Sequence, residues 1–360
     1  MQTSFPAVLM RGGTSKGLFI HAEDLPGSQE IRDRVLLAAM GSPDMRQIDG
    51  LGGAHPLTSK VAILSKPTRE DADIDYLFLQ VAVDKAEVSS AQNCGNMLAG
   101  VGPWAIERGW VEAPHSETQV RIHMLNTGGM AVAHVPTANG SVIWSGDTAI
   151  SGVPGTAAGI AIDFLDIAGS STGALFPTGS KSDVSNGIEV TCIDNGMPVI
   201  LIRATDLSLT GYEAPADLES NVQLKATIEA IRLEMAAKMN LGDVRGKTVP
   251  KISLLAPPQS GGLVMTRTFI PHRVHQAIGV LGAVSVATGC LIDGTVGEEF
   301  ASPCQRASHS ERYSVEHPTG NFEVDLRLDG EKVVRSALVR TARKLMSGDV
   351  FVPASEWGNG

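Results

Sequence analysis

The sequence predicts an α+β protein of two similar domains, each a mostly antiparallel sheet rolled around a central helix. Three observations carry this prediction. Short β-rich runs recur along the chain, and 39 Gly against 9 Phe, 4 Trp and 3 Tyr demand frequent turns and a core of Val, Ile, Leu and Ala. Two nearly uncharged stretches of small residues, opening at Cys94 and near Gly279, have the composition of helices enclosed by sheet. Finally, Asn126-Thr127-Gly128, a strand at 130–135 and an Asn139-Gly140 turn are echoed by Pro318-Thr319-Gly320, a strand at 322–328 and an Asp329-Gly330 turn. Asn-Gly and Asp-Gly accept the positive φ of tight hairpins. Each copy follows one of the apolar helices, which points to an internal duplication.

The elements follow in order. Strands are expected at 76–83, 120–125, 130–135, 187–193, 199–203 and 263–270, each short, β-rich and bounded by turn residues. The clearest helix covers 217–239, where Leu218, Val222, Leu224, Ile228, Ile231 and Met235 recur at helical spacing and acids lead. One buried helix starts at Cys94 and carries Leu98, Val101, Trp104 and Ile106; the other starts near Gly279 and carries Ala283, Val286 and Ala287. A chain of 360 residues exceeds what one core supports, and the expected domains are 1–182 and 183–360, with a last strand able to cross back to the first.

Charge and cysteine usage exclude several classes. The net charge is −10, from 29 Lys+Arg against 39 Asp+Glu, without a dense basic run, so nucleic acid is not an expected partner. The longest uncharged stretch, 277–292, falls short of the roughly 20 apolar residues of a membrane span. The N-terminus lacks the basic start of an export signal. Cys94, Cys192, Cys290 and Cys304 lie far apart and read as free thiols, so the expected compartment is the cytoplasm. The sequence admits a homodimer without specifying one.

Four segments hold candidate chemistry. Arg11-Gly12-Gly13-Thr14-Ser15-Lys16-Gly17 has the outline of a phosphate loop, but Leu18-Phe19 stand where Lys-Ser/Thr is required. What remains is a cluster of N–H, hydroxyl and cationic groups suited to a carboxylate, or else a tight surface turn. The Gly-rich run 49–58 has His55 where a dinucleotide fingerprint needs its third Gly. It leads through Ser59 to Lys60, at the mouth of an apolar strand beginning at Val61. Lys60 is either an ordinary surface lysine or, if partly buried, a base of lowered pKa. In Gln92-Asn93-Cys94-Gly95-Asn96 a cysteine opens a helix, where the dipole favours thiolate; the alternative is an inert buried thiol. Arg267 with His272, Arg273 and His275 lacks a third ligand at zinc spacing and reads as a cationic lip for an anionic substrate. Asp71, Asp73 and Asp75 read as a solvated edge.

The motifs MRGGTSKG, DGLGGAHPLTSK, QNCGNMLAGVGP and HPTGNFEV together resemble the PrpF family, whose fold is that of diaminopimelate epimerase. MGSPDMRQIDG, TCIDNGMPV, MNLGDV, FIPHR and GAVSVAT resemble the branch that acts on 4-oxalomesaconate. The resemblance implies that Cys94 matches the first catalytic cysteine of the epimerases. Gly279, opening Gly279-Val280-Leu281-Gly282-Ala283, stands where their second thiol belongs, which excludes a two-thiol mechanism. Lys60 is then the partner of Cys94. Arg11, Gly13, Thr14, Ser15, Lys16, Ser59, Asn93, Gly95 and Asn96 are expected to bind substrate, joined by Arg267, His272, Arg273, His275, Gly279 and Leu281 from the second half, in a cleft between the domains. The implied partner is a small tricarboxylate, with neither metal nor organic cofactor. The implied activity is a 1,3-proton shift, as keto–enol tautomerisation or double-bond migration. The rival readings are a 2-methylaconitate cis-trans isomerase and a non-catalytic tricarboxylate-binding accessory protein.

Overall fold

The computed structural model describes residues 1–90, 93–165, 167–307 and 312–358. Its contacts divide the chain into two compact units, Met1–Asp163 with Arg340–Gly360, and Phe164–Val339. The division falls at 163/164 where the sequence reading placed it at 182/183, and the last residues belong to the first unit. Both units are mixed, predominantly antiparallel sheets with few helices.

The first unit contains β1 (Gln2–Gly12), β2 (Ser15–His21), β3 (Lys60–Ser65), β4 (Ile74–Val81), β5 (Val88–Ser89), β6 (Glu117–Met124), β7 (Gly129–Ala138), β8 (Ser141–Val142) and most of β9 (Gly159–Leu165). Helix α1 (Gln29–Met40) connects β2 to β3, and α2 (Gly95–Leu98) with α3 (Val101–Glu107) connects β5 to β6. Along β1–β2–β3–β4–β6–β7 the pairings run antiparallel, parallel, antiparallel, parallel, antiparallel. Alternation along each strand sends one row of side chains to each face. Leu18, Ile20, Val61, Ile63, Leu79 and Val81 meet Val35, Leu36, Ala39 and Met40 of α1 on one face. The other face receives α2 and α3, where a side chain at Gly102 would run into Val135 and Ala133.

The second unit contains β10 (Asp183–Ser185), β11 (Ile188–Asp194), β12 (Pro198–Arg203), β13 (Lys251–Ala256), β14 (Val264–Phe269), β15 (Arg312–His317) and β16 (Gly320–Asp329). Strand β17 (Lys332–Pro353) begins there and ends in the first unit, where it pairs with β1. Helices α4 (Pro215–Ser220) and α5 (Val222–Lys238) connect β12 to β13, α6 (Val280–Leu291) connects β14 to β15, and α7 is Pro303–Ala307. Along β11–β12–β13–β14–β15–β16 the pairings again run antiparallel, parallel, antiparallel, parallel, antiparallel. One face packs Ile200, Ile202, Ile252, Leu254 and Phe269 on Leu224, Ile228, Ile231 and Met235 of α5. Helix α6 is buried at every residue except Leu281.

Two helices differ from their expected spans for identifiable reasons. The stretch from Cys94 is two short helices, because Pro103 has no N–H to bond back one turn and is accommodated in the first turn of a new helix. The helix expected at 217–239 breaks at Asn221, which leaves helical conformation and whose side chain accepts from Leu224 N at 3.0 Å. No described helix is long and apolar enough to cross a membrane. Replacing this cap, Asn221→Ala, is expected to cost about 1 kcal/mol, measured as a lowered urea midpoint with unchanged slope.

Candidate active site

The segment that resembled a phosphate loop is the tight turn of the β1–β2 hairpin. Gly12 pairs with Ser15, leaving Gly13 and Thr14 at the tip, and Gly13 has φ 53°. Arg11 closes the turn from below: its Nη1 donates to the carbonyls of Gly13 at 2.8 Å and Thr341 at 2.9 Å. Burial, and then the neighbouring Arg343, lower its pKa. The guanidinium therefore shapes the hairpin, which corrects its expected place among the substrate cations. Lys16, next along β2 from the inward Ser15, projects from the other face and makes no contact with the groups below.

The hairpin sits on the first turn of α2. Asn96 Nδ2 donates to Thr14 Oγ1 at 3.2 Å, and Thr14 N donates to Asn96 Oδ1 at 3.4 Å. This approach requires glycine: a Cβ at Gly12 would collide with the Asn96 carbonyl, and one at Gly13 with the Asn96 side chain. Gly17 is needed for the same reason against the Lys60 carbonyl on β3.

These approaches bring three side chains together. Lys60 Nζ donates to Ser15 Oγ at 3.0 Å and to Cys94 Sγ at 3.3 Å, and Ser15 Oγ lies 3.9 Å from Cys94 Sγ. All three residues are buried, Lys60 to 7 % exposure and Cys94 to 8 %. Lys60 Nζ also stands 5.5 Å from the centre of the Phe78 ring, whose face favours a cation. Lys60 and Cys94 both belong to the first unit.

Several supporting residues escaped the sequence reading. Tyr76, fully buried, donates its hydroxyl to the Cys94 carbonyl at 3.2 Å. Burial, reinforced by Cys94, raises its pKa well above the ordinary value, so it remains a neutral donor. Gln47 Nε2 donates to Ser59 Oγ at 2.7 Å, and Gln80 Nε2 donates to the Ser59 carbonyl at 2.9 Å. Ser59 thus fixes the chain entering Lys60, and its hydroxyl is held by Gln47 rather than presented to a ligand. No local pattern marks Gln47 or Gln80, because each acts across the fold.

Asn93 Nδ2 donates to Thr127 Oγ1 at 2.8 Å, while Asn93 Oδ1 is buried without a hydrogen-bond partner among the described residues. Gly95 is the first residue of α2 behind the Cys94 N-cap. Gln92 lies outside the described residues. The other thiols differ from Cys94: Cys192 and Cys290 are fully buried in apolar surroundings that push their pKa upward, and Cys304 is exposed.

In the second unit, Arg267 is withdrawn from solvent, with Nε donating to the Glu213 carbonyl at 2.7 Å and Nη1 to the Thr266 carbonyl at 3.0 Å. Burial lowers its pKa. Its guanidinium is committed to backbone, which removes it from the expected cationic lip. His272 and Arg273 are exposed, and His275 Nδ1 accepts from Ala277 N at 2.9 Å. Gly279 is the N-cap of α6, and Leu281 packs toward Gly196. Among the described residues no group of three His, Cys, Asp or Glu is placed to hold a metal ion.

Comparison with known proteins agrees with this architecture. The sequence model of the family described as PrpF protein matches residues 2–353. The chain belongs to the PrpF family. It is 56 % identical over 357 residues to a 4-oxalomesaconate tautomerase of Pseudomonas putida, covering 99 % of this chain and 98 % of that one. It is 58 % identical over 350 residues to a (4E)-oxalomesaconate Delta-isomerase of a Novosphingobium species, covering 97 % and 98 %. The crystal structure of a methylitaconate-delta-isomerase superposes with a TM-score of 0.87 at 37 % identity, covering 100 % of this chain and 98 % of that one.

Within this PrpF-family chain, Gly12→Ala is expected to force the hairpin off α2. The expected cost is about 1–3 kcal/mol of stability, together with reduced turnover. A thermal melt alongside an activity assay checks both.

Proposed function

We propose that this PrpF-family chain is a cofactor-independent isomerase that shifts a proton within 4-oxalomesaconate, with Lys60 and Cys94 as the acid/base pair, in the breakdown of aromatic acids such as gallate or protocatechuate. One observation carries the reading: an amine and a thiol, 34 positions apart in sequence, lie 3.3 Å from each other in a buried setting. The names of the relatives at 56 % and 58 % identity support the substrate.

The chemistry asks for little else. The proton beside the keto group of such a substrate is acidified by resonance, and its removal leaves a dienolate. One of the two groups takes that proton, the electron pair passes through the conjugated system, and the other group delivers a proton to the far carbon. Ser15 accepts from Lys60, so its own hydroxyl hydrogen is available to Cys94 or to a developing oxyanion. The unpartnered Asn93 Oδ1 offers an acceptor next to Cys94.

The fold in this reading is that of diaminopimelate epimerase, two similar halves each built around a central helix, and the shared strand order supports it. An epimerase works with two groups on opposite faces of one carbon. Here Gly279 caps α6 where the second thiol would stand, and the two remaining groups are neighbours. Neighbouring groups serve one face of a planar intermediate, which favours transfer between two carbons over inversion at one.

Three measurements test the proposal. Cys94→Ala and Lys60→Met are each expected to lower 4-oxalomesaconate turnover by about two or more orders of magnitude with unchanged circular dichroism; wild-type turnover by the Cys94 variant would remove the thiol from the mechanism. Purified wild type is expected to turn over 4-oxalomesaconate in preference to 2-methylaconitate, followed by absorbance, and the reverse preference favours the rival isomerase. With substrate stereospecifically deuterated at its reacting methylene, NMR is expected to show delivery to the face from which the proton left.

A further inference from the structure

The two ladders can be aligned residue by residue. In the first unit, Gly17 of β2 pairs with Lys60, the first residue of β3, and Val61 pairs with Leu79. In the second, Val199 of β12 pairs with Lys251, the first residue of β13, and Ile252 pairs with Phe269. Val61 and Leu79 belong to the core on α1, and Ile252 and Phe269 to the core on α5. Because successive residues of a strand face opposite sides, Lys60 and Lys251 both face the other side of their sheets, the side occupied by α2 and by α6. Those helices sit alike over their hairpins: Asn96, second residue of α2, meets Gly13, and Leu281, second residue of α6, meets Gly196. Lys251 is therefore the counterpart of Lys60, and Gly279 of Cys94.

The counterparts differ in what they touch. Lys60 ends on Ser15 and Cys94. Lys251 is buried to 8 % exposure, and its Nζ has no hydrogen bond or ion pair among the described residues. The charged group that bears on it, Arg232 of α5, is itself committed to Glu229 and to the carbonyls of Val244 and Val249. At the N-cap of the 12-residue α6, Gly279 is exposed, makes no side-chain cap, and a Cβ built there meets nothing within 4 Å. A nine-tenths buried ammonium without a counter-charge is unfavourable, and an anion in the adjoining open space relieves it.

We propose that Lys251 is the cation of a carboxylate-binding site in the second unit, at the open N-terminal end of α6, for a small di- or tricarboxylate. The choice of ligand class rests on the function proposed above. Burial, and then Arg232, bring the pKa of Lys251 down to about 8. Anion binding requires the protonated amine, so affinity is full below that pH and falls as pH rises through it.

Isothermal titration calorimetry of the full chain with tricarballylate, an unreactive tricarboxylate, tests the site. At about pH 7, Lys251→Gln is expected to weaken binding about tenfold or more, while Lys251→Arg retains it. Between about pH 7 and pH 9.5 wild-type affinity is expected to fall and that of Lys251→Arg to hold. A folded Gln variant that binds as tightly as wild type, or identical pH profiles for wild type and the Arg variant, overturns the proposal. The second comparison decides the matter where the Gln variant does not fold. Absence of 4-oxalomesaconate turnover by wild type, with Lys251-dependent tricarballylate binding intact, would sink the proposed function and leave this site standing.

Discussion

Three absent Cβ atoms set the geometry on which the candidate site depends. Gly12 and Gly13 let the backbone of the first hairpin rest on the opening turn of α2, and Gly17 lets β2 lie against the carbonyl of Lys60. With any larger residue at these positions the hairpin, the helix start and the strand start would stand further apart. The contact of 3.3 Å between Lys60 and Cys94 is thus a consequence of backbone packing between segments far apart in sequence. The side chains then lock what the backbone allows. Asn96 ties the hairpin tip to the helix, Tyr76 holds the Cys94 carbonyl, and Gln47 and Gln80 hold the residue before Lys60.

Local pattern made part of this legible. Strands at β4, β6, β7, β11, β12 and β14 were visible because short β-branched runs end at Gly, Asn or Pro, and the two TG hairpins announced a repeated half. The pair Lys60 and Cys94 was marked by its motifs. The Gly-rich stretch 11–17 was harder, since glycines that permit a hairpin to approach a helix look the same in sequence as glycines that cradle an anion. Arg11 and Arg267 misled for a related reason. A guanidinium beside a Gly-rich or polar segment reads as a ligand, and only the fold reveals that backbone carbonyls from Thr341 and Glu213 have already engaged it. Helix α1 went unnoticed because its sequence, QEIRDRVLLAAM, buries only Val35, Leu36, Ala39 and Met40 and opens with charge.

The cysteines show that burial alone does not make a thiol chemical. Cys94, Cys192 and Cys290 are all buried, yet the last two lie among apolar groups, and desolvation pushes their pKa upward and leaves them inert. Cys94 sits at a helix start with an ammonium and a hydroxyl in reach. What separates it from the others is the polar company delivered by two neighbouring strands.

An unlike pair also suits the proposed reaction better than a like pair. A racemase interconverts mirror images, so the same kind of group, with the same basicity, serves both directions. A 1,3-shift connects two carbons of different acidity, one beside a ketone and one beside a carboxylate. Brønsted matching then favours two groups of different intrinsic basicity. Replacing one thiol of a symmetric pair by glycine at 279, while keeping an amine 3.3 Å from the other thiol, converts a fold suited to inversion at one carbon into one suited to transfer between two. In that light the divergence of the two halves, a thiol facing Lys60 and open space at the counterpart of that thiol, is what the change of reaction demands of a duplicated fold.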